Sequence, residues 1–204
     1  MLTLILLLLA PSSMAQTDPL DTLLEALWAD DVESVVSQIE SGASPDSGTK
    51  AETLLTYSIK RNSIEMVSAL LDHGANPNLA QPVTQFSPLM VAAKHKNAPA
   101  TELLIAKGAN VNASGVFGRN PLHIAALFNS LEVAHILLSK TNVDVNSRGK
   151  LCPLAVASRQ GYLEFVNMIL RESKVSPAEK CLLSAKDMAA LNQHDDVLAV
   201  LNSL

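Results

Sequence analysis

Two cysteines and five histidines carry most of the nucleophilic and metal-ligating chemistry available to this chain. His123 and Cys152 could form a nucleophile and its base, since a neighbouring imidazole is what activates a thiol. No third group or pocket accompanies them in the sequence. His73, in "LLDHGAN", and His194, opening "HDDV", sit in short polar breaks and read as structural residues. No set of His, Cys, Asp and Glu shows the spacing of a metal site, and no phosphate-cradling or dinucleotide fingerprint is present. The expectation is therefore no catalysis, no cofactor and no metal. Asn112-Ala113-Ser114 is a formal N-glycosylation sequon, read here as a structural asparagine.

The elements that position these residues are built from small and branched apolar side chains. Of 204 residues, 48% are hydrophobic but only 3% aromatic. The core is therefore one of Ala, Leu, Val and Ile, in a chain long enough for one domain or one array. A formal net charge of −5 gives no general reason to expect nucleic-acid binding. Leu2 to Ala10 is an unbroken apolar run followed by "PSSMA". Ser13 and Ala15 are the small residues of a cleavage site, so residues 1–15 read as a signal peptide, although no Lys or Arg precedes the apolar run. The run is too short for a stable anchor. Export would allow a disulfide, but the cysteine spacing does not demand one.

The chain repeats. "TLLTYSIKRNSIEMVSALLDHGANPN" starts at Thr53, and related stretches start at Ser87, Asn120 and Cys152, intervals of 34, 33 and 32 residues. Degenerate copies start at Asp21 and Ser184. Several units place Pro at the first turn of a short helix, where its missing N–H costs nothing. A small pair such as Ala92–Ala93 or Ala125–Ala126 permits close helix packing. A polar break, a second helix and a terminating Gly at 74 or 108 follow, glycine being suited to the left-handed cap.

"NPLHIAA" and "LLDHGANPN" carry a resemblance to the ankyrin repeat, over residues 21–204. The resemblance implies an all-α solenoid of four full repeats between two degenerate caps: 21–50, 51–84, 85–117, 118–149, 150–181 and 182–204, after a linker at 16–20. It gives His123 a hydrogen-bonding role and puts Cys152 at the motif's Thr position. Cys181 lies three residues before the matching site of the next unit. Stacked positions sit near or beyond the roughly 7 Å Cα limit for a disulfide, so two free thiols are expected.

The resemblance also implies that inner helices and hairpin tips form a concave, partner-binding surface. The inner-helix positions expected there are Glu25, Trp28 and Ala29; Tyr57, Lys60 and Arg61; Val91, Lys94 and His95; Ile124, Leu127 and Phe128; and Val156, Arg159 and Gln160. The tips add Lys50, Gln85, Phe86, Val116, Phe117, Arg119, Arg148 and Lys150. Nine of the fifteen Lys and Arg residues fall on or beside this surface, and aromatics with Arg are the usual interface anchors. The twelve strongest candidates are Trp28, Tyr57, Lys60, Arg61, Lys94, His95, Phe117, Arg119, Leu127, Phe128, Arg148 and Arg159. The expectation is a monomeric, non-catalytic module that binds another protein with an acidic patch, without nucleic acid or a membrane anchor. It would act in the periplasm of a bacterium, or secreted otherwise, as an inhibitor, immunity or protective factor. A structural spacer and a Cys/His enzyme are the alternatives.

Overall fold

The structure, a computed structural model, describes residues 18–147, 151–172 and 176–204. The signal-peptide reading of residues 1–15, and the candidates Arg148 and Lys150, lie outside the described residues. Twelve α-helices follow as six antiparallel pairs: α1 (Pro19–Trp28) and α2 (Val32–Glu40), α3 (Leu54–Arg61) and α4 (Ile64–Asp72), α5 (Pro88–Lys94) and α6 (Ala98–Ala106), α7 (Pro121–Phe128) and α8 (Leu131–Lys140), α9 (Pro153–Arg159) and α10 (Leu163–Glu172), and α11 (Glu179–Leu191) and α12 (Asp195–Asn202). The first helices of the pairs pack in one row and the second helices in another. This is the all-α repeat stack expected from the sequence.

Local chemistry starts and stops these helices. Pro88, Pro121 and Pro153 open α5, α7 and α9. The Ser87 and Asn120 side chains accept from the Met90 and His123 amides at 3.3 and 3.1 Å, satisfying donors the helix leaves open. The turn inside each pair requires one residue of positive φ. Asp30, Asn62, Lys96, Asn129, Gly161 and Gln193 supply it at matching positions. Gly161 is the position where a side chain has no space, because an added Cβ would lie 2.6 Å from His194 Nδ1.

Close packing between units comes from the small pairs. Ala92, Ala93, Ala125 and Ala126 are fully buried, with Leu89, Leu122 and Leu154 beside them in one continuous core. Phe165, on α10, is the largest fully buried side chain. Polar bonds then set the register of one unit on the next. Asn97 donates through Nδ2 to the Ile59 carbonyl at 3.0 Å, Ser130 Oγ to the Ala93 carbonyl, and His194 Nε2 to the Arg159 carbonyl at 3.1 Å. In each case the residue before an outer helix ties down the end of the preceding unit's inner helix.

The loops carry a second periodic device. Asp46, Asn78, Asn112 and Asn146 accept through Oδ1 from the amides of Asn76, Asn110, Asp144 and Ala178, at 2.7, 2.7, 2.7 and 2.6 Å. Asn112 also donates through Nδ2 to the Asn142 carbonyl at 3.1 Å. The sequon asparagine is thus a rung in a ladder, as its structural reading proposed.

One expectation is overturned. Cys152 and Cys181 form a disulfide, with Cα atoms 6.0 Å apart. The expected separation assumed that every inner helix starts at the same register. Instead α11 is 13 residues long and begins at Glu179, so Ser184, the register partner of Cys152, falls inside the helix. The added N-terminal turn carries Cys181 back beside Cys152, which caps α9.

Candidate functional site: the inner-helix face

The inner helices α3, α5, α7 and α9 are each flanked by two others of their row, so they reach solvent mainly at the last turn and the adjacent loop. That geometry selects among the expected surface residues. Trp28 is 53% exposed. Lys60, Arg61, Lys94, His95 and Arg159 are exposed, with Glu25, Ala29, Lys50, Gln85 and Gln160. Tyr57, Leu127, Phe128, Phe86 and Arg119 are half-buried. Val91, Ile124 and Val156 are not surface residues: they retain 2%, 0% and 8% of their exposure. They sit one turn earlier, where the side chain meets the neighbouring inner helix.

The exposed cations and aromatics are paired with one another. Lys94 Nζ lies 6.0 Å from the centre of the Phe128 ring, across a unit boundary. Arg119 lies 5.6 Å from the Phe117 ring. Phe117 itself is 66% exposed and held at φ +65° in the short turn Val116–Gly118. Lys60 is less available than the sequence suggested, because Glu52 pairs with it at 3.0 Å. His95 titrates below the ordinary histidine range, through burial first and then the charges of Lys94 and Lys60. It therefore stays neutral at neutral pH.

The opposite row of helices is laced by polar contacts between successive units. Lys107 meets Asp72 at 2.8 Å, His135 meets Glu172 at 2.7 Å, and Lys140 pairs with Glu102. The Lys107 and Lys140 charges are thus matched by carboxylates, whereas Arg61, Lys94, Arg119 and Arg159 make no ion pair among the described residues. Most of the cations without a carboxylate partner among the described residues thus lie on the inner face, with Arg171 of α10 an exception on the outer row.

Among the described residues, that face has concave regions at two places. One, of about 180 Å³, lies between Trp28, Tyr57, Lys60 and the loop around Thr49. The other, of about 370 Å³, lies between α7, α9 and α11, with Arg119 and Arg159 at its edge and Leu127, Val156 and Met188 in its lining. Met188 was not legible as a site residue, because it lies in a degenerate unit far from the motif. Leu151 and His123 complete the lining.

His123 is committed to structure. Its Nε2 donates to the Leu151 carbonyl at 2.9 Å, and its Nδ1 accepts from the Asn120 amide at 3.2 Å. Burial holds its pKa down to about 4, so the ring is neutral at neutral pH. Cys152 is spent in the disulfide and offers no thiolate. The pair imagined as nucleophile and base is thus two separate structural devices. Among the described residues no three His, Cys, Asp or Glu side chains are grouped to hold a metal ion. No described helix is long and apolar enough to cross a membrane.

Comparison with known proteins agrees with the helical pairs. The chain is 27% identical over 172 residues to the human transient receptor potential cation channel subfamily A member 1, an alignment covering 63% of this chain and 15% of the channel. It is 34% identical over 103 residues to human neurogenic locus notch homolog protein 4, covering 50% of this chain and 5% of that protein. It is 26% identical over 199 residues to the ankyrin repeat protein nuc-2 of Neurospora crassa, covering 91% of this chain and 18% of that one. The chain thus spans less than a fifth of the length of each of these relatives. The family described as Ankyrin repeats (3 copies) matches residues 23–115 and 110–181, most of the chain. This chain belongs to the ankyrin repeat family, and its repeats form a protein–protein interaction module.

Proposed function

We propose that this module is exported and holds a partner protein on its inner-helix face through an acidic patch, without catalysis. The observation that carries the reading is the segregation of charge. Cations stand at the ends of α3, α5 and α9 and aromatics at those of α1 and α7, while lysines of the outer row are matched by carboxylates. On a chain of net charge −5, that face is the one an acidic surface would approach. Export is supported by the apolar run and small-residue cleavage pattern of residues 1–15, and by a disulfide, a bond that persists in oxidising compartments. A binding partner in such a compartment suits an inhibitor, immunity or protective role.

The test is affinity purification of the tagged protein from its own exported fraction, with mass spectrometry of what co-purifies. A single protein species retained by the wild type and lost with Arg61→Glu plus Lys94→Glu is the expected result. Retention of that protein by the double variant would discard the inner face as the binding surface. N-terminal sequencing of the same material should give Gln16 as the first residue; a cytosolic pool that keeps Met1 would discard export.

A further inference from the structure

The hollow of about 370 Å³ between α7, α9 and α11 differs from the rest of the inner face. Two guanidinium groups, Arg119 and Arg159, line it, and no Asp or Glu does. The rest of the lining is mainly apolar: Phe117, Leu127, Val156 and Met188. Leu127 and Met188 are half-buried and Phe117 is mostly exposed, so apolar surface lies open beside fixed positive charge.

Two features hold the hollow in shape. The Cys152–Cys181 bond joins α9, which carries Val156 and Arg159, to α11, which carries Met188. Phe117 is held at φ +65°, a left-handed conformation that strains a non-glycine residue. Such strain persists where the surroundings over-determine it, and here it presents an aromatic ring at the rim next to Arg119. An open cationic hollow with apolar walls, tied across α9 and α11, is suited to a ligand that brings both a carboxylate and an apolar side chain.

We infer that this hollow is the specificity pocket of the binding face, and that it takes a segment of the partner chain in which Asp or Glu stands beside a bulky apolar residue. The carboxylate would meet Arg119 and Arg159 through charge-assisted hydrogen bonds, which a guanidinium makes in pairs. The apolar neighbour would cover Leu127, Val156 and Met188. A polyanion without such side chains satisfies the arginines and leaves the apolar lining wet, so a peptide fits better than a nucleic acid or a bare phosphate. This inference rests on the partner-binding reading and adds the chemistry of what is recognised.

The experiment is to pan random linear peptides of about a dozen residues against the full oxidised chain, then to measure a synthetic enriched peptide by fluorescence anisotropy. Enriched sequences should carry Asp or Glu within about two positions of Leu, Phe or Trp, and changing the peptide's acid to Lys should abolish binding. Arg159→Glu and Met188→Glu should each weaken the peptide by about tenfold or more, the scale of a lost charge-assisted contact, with Arg171→Glu, the same charge change on the outer helix α10, neutral. Arg159 is exposed, so its variant should melt with the wild type; Arg159→Gln supplies a milder loss of charge. A peptide pool with no acidic bias, an unenriched library, or an affinity indifferent to Arg159→Glu would overturn the pocket. If Arg61→Glu and Trp28→Ala weaken the peptide while Arg159→Glu does not, the inner face still binds and only this pocket fails. If none of these variants matters, both readings fail.

Discussion

His123 shows how one buried side chain makes stability depend on pH. Burial is the main cause of its lowered pKa, and the Arg119 charge adds to it; the hydrogen bond to Leu151 and the Asp144 carboxylate act the other way. In the unfolded chain the imidazole takes its proton near pH 6.5, and in the folded chain near pH 4. Its contribution is therefore fully present above about 6.5 and is lost as pH falls from there toward 4. Urea denaturation between pH 7 and pH 4 should show a loss on the order of 3 kcal/mol from this residue, and His123→Gln should remove that part of the slope. Equal slopes for wild type and variant would mean the ring is not held neutral. Ala93 and Ala126, each with no exposure, test packing in the same way. Replacing either with Leu should destabilise by roughly 1–3 kcal/mol, because added methylenes have no void to enter. Unchanged denaturation midpoints would contradict the close approach of the inner helices.

At the scale of the element, α11 is the departure that matters. Its six extra residues relative to α9 do not add a repeat; they reach back and bond to the preceding unit through Cys181. The pair α11–α12 has a neighbour on one side only among the described residues, and a repeat stack is stabilised by nearest-neighbour interfaces. The covalent tie reinforces the interface between α9 and α11. Cys152→Ser plus Cys181→Ser should loosen the last pair before the rest. Hydrogen exchange should speed in α11 and α12 with α3 to α8 little changed, and overall stability should fall by no more than about 4 kcal/mol, the scale for a closed loop of this size. Uniformly faster exchange would show that the whole array unfolds as one unit. Thiol counting under denaturing, non-reducing conditions should find no free thiol.

At the scale of the whole molecule, a cationic inner face on an acidic chain should act mainly on the rate of encounter. Screening at about 0.15 M salt extends over roughly 8 Å, so charges close to the partner count most. Reversing Arg61 and Lys94 to Glu should slow association with the captured partner and flatten its salt dependence, measured by surface plasmon resonance at two salt concentrations. Phe128→Ala should mainly speed dissociation, since half-buried aromatics hold contacts once made. Phe128 also stacks under Lys94, so the two effects are coupled and the triple variant should fall short of their sum. Association rates unchanged by the reversal would move the binding surface to the outer helices.

The repeat itself was legible in the residues. "NPLHIAA", the Ala pairs, the terminating glycines and the regular spacing determine short helices of known facing, because local propensity, capping and packing all agree at those positions. The ends of the inner helices were legible as a surface through the family resemblance, mapped unit by unit onto Trp28, Arg61, Lys94 and Arg159, all of which are exposed. Neighbours across the stack were not. Val91, Ile124 and Val156 look like surface positions along one helix, and only the helices on either side bury them. Glu52 beside Lys60, Lys94 over Phe128 and Met188 in the hollow are meetings of residues far apart in the chain. The disulfide is the clearest case. Spacing placed the two cysteines a repeat apart, and only the extended start of α11 brought their Cα atoms to 6.0 Å, since helix length is decided by the packing of the last unit and not by the motif it has lost.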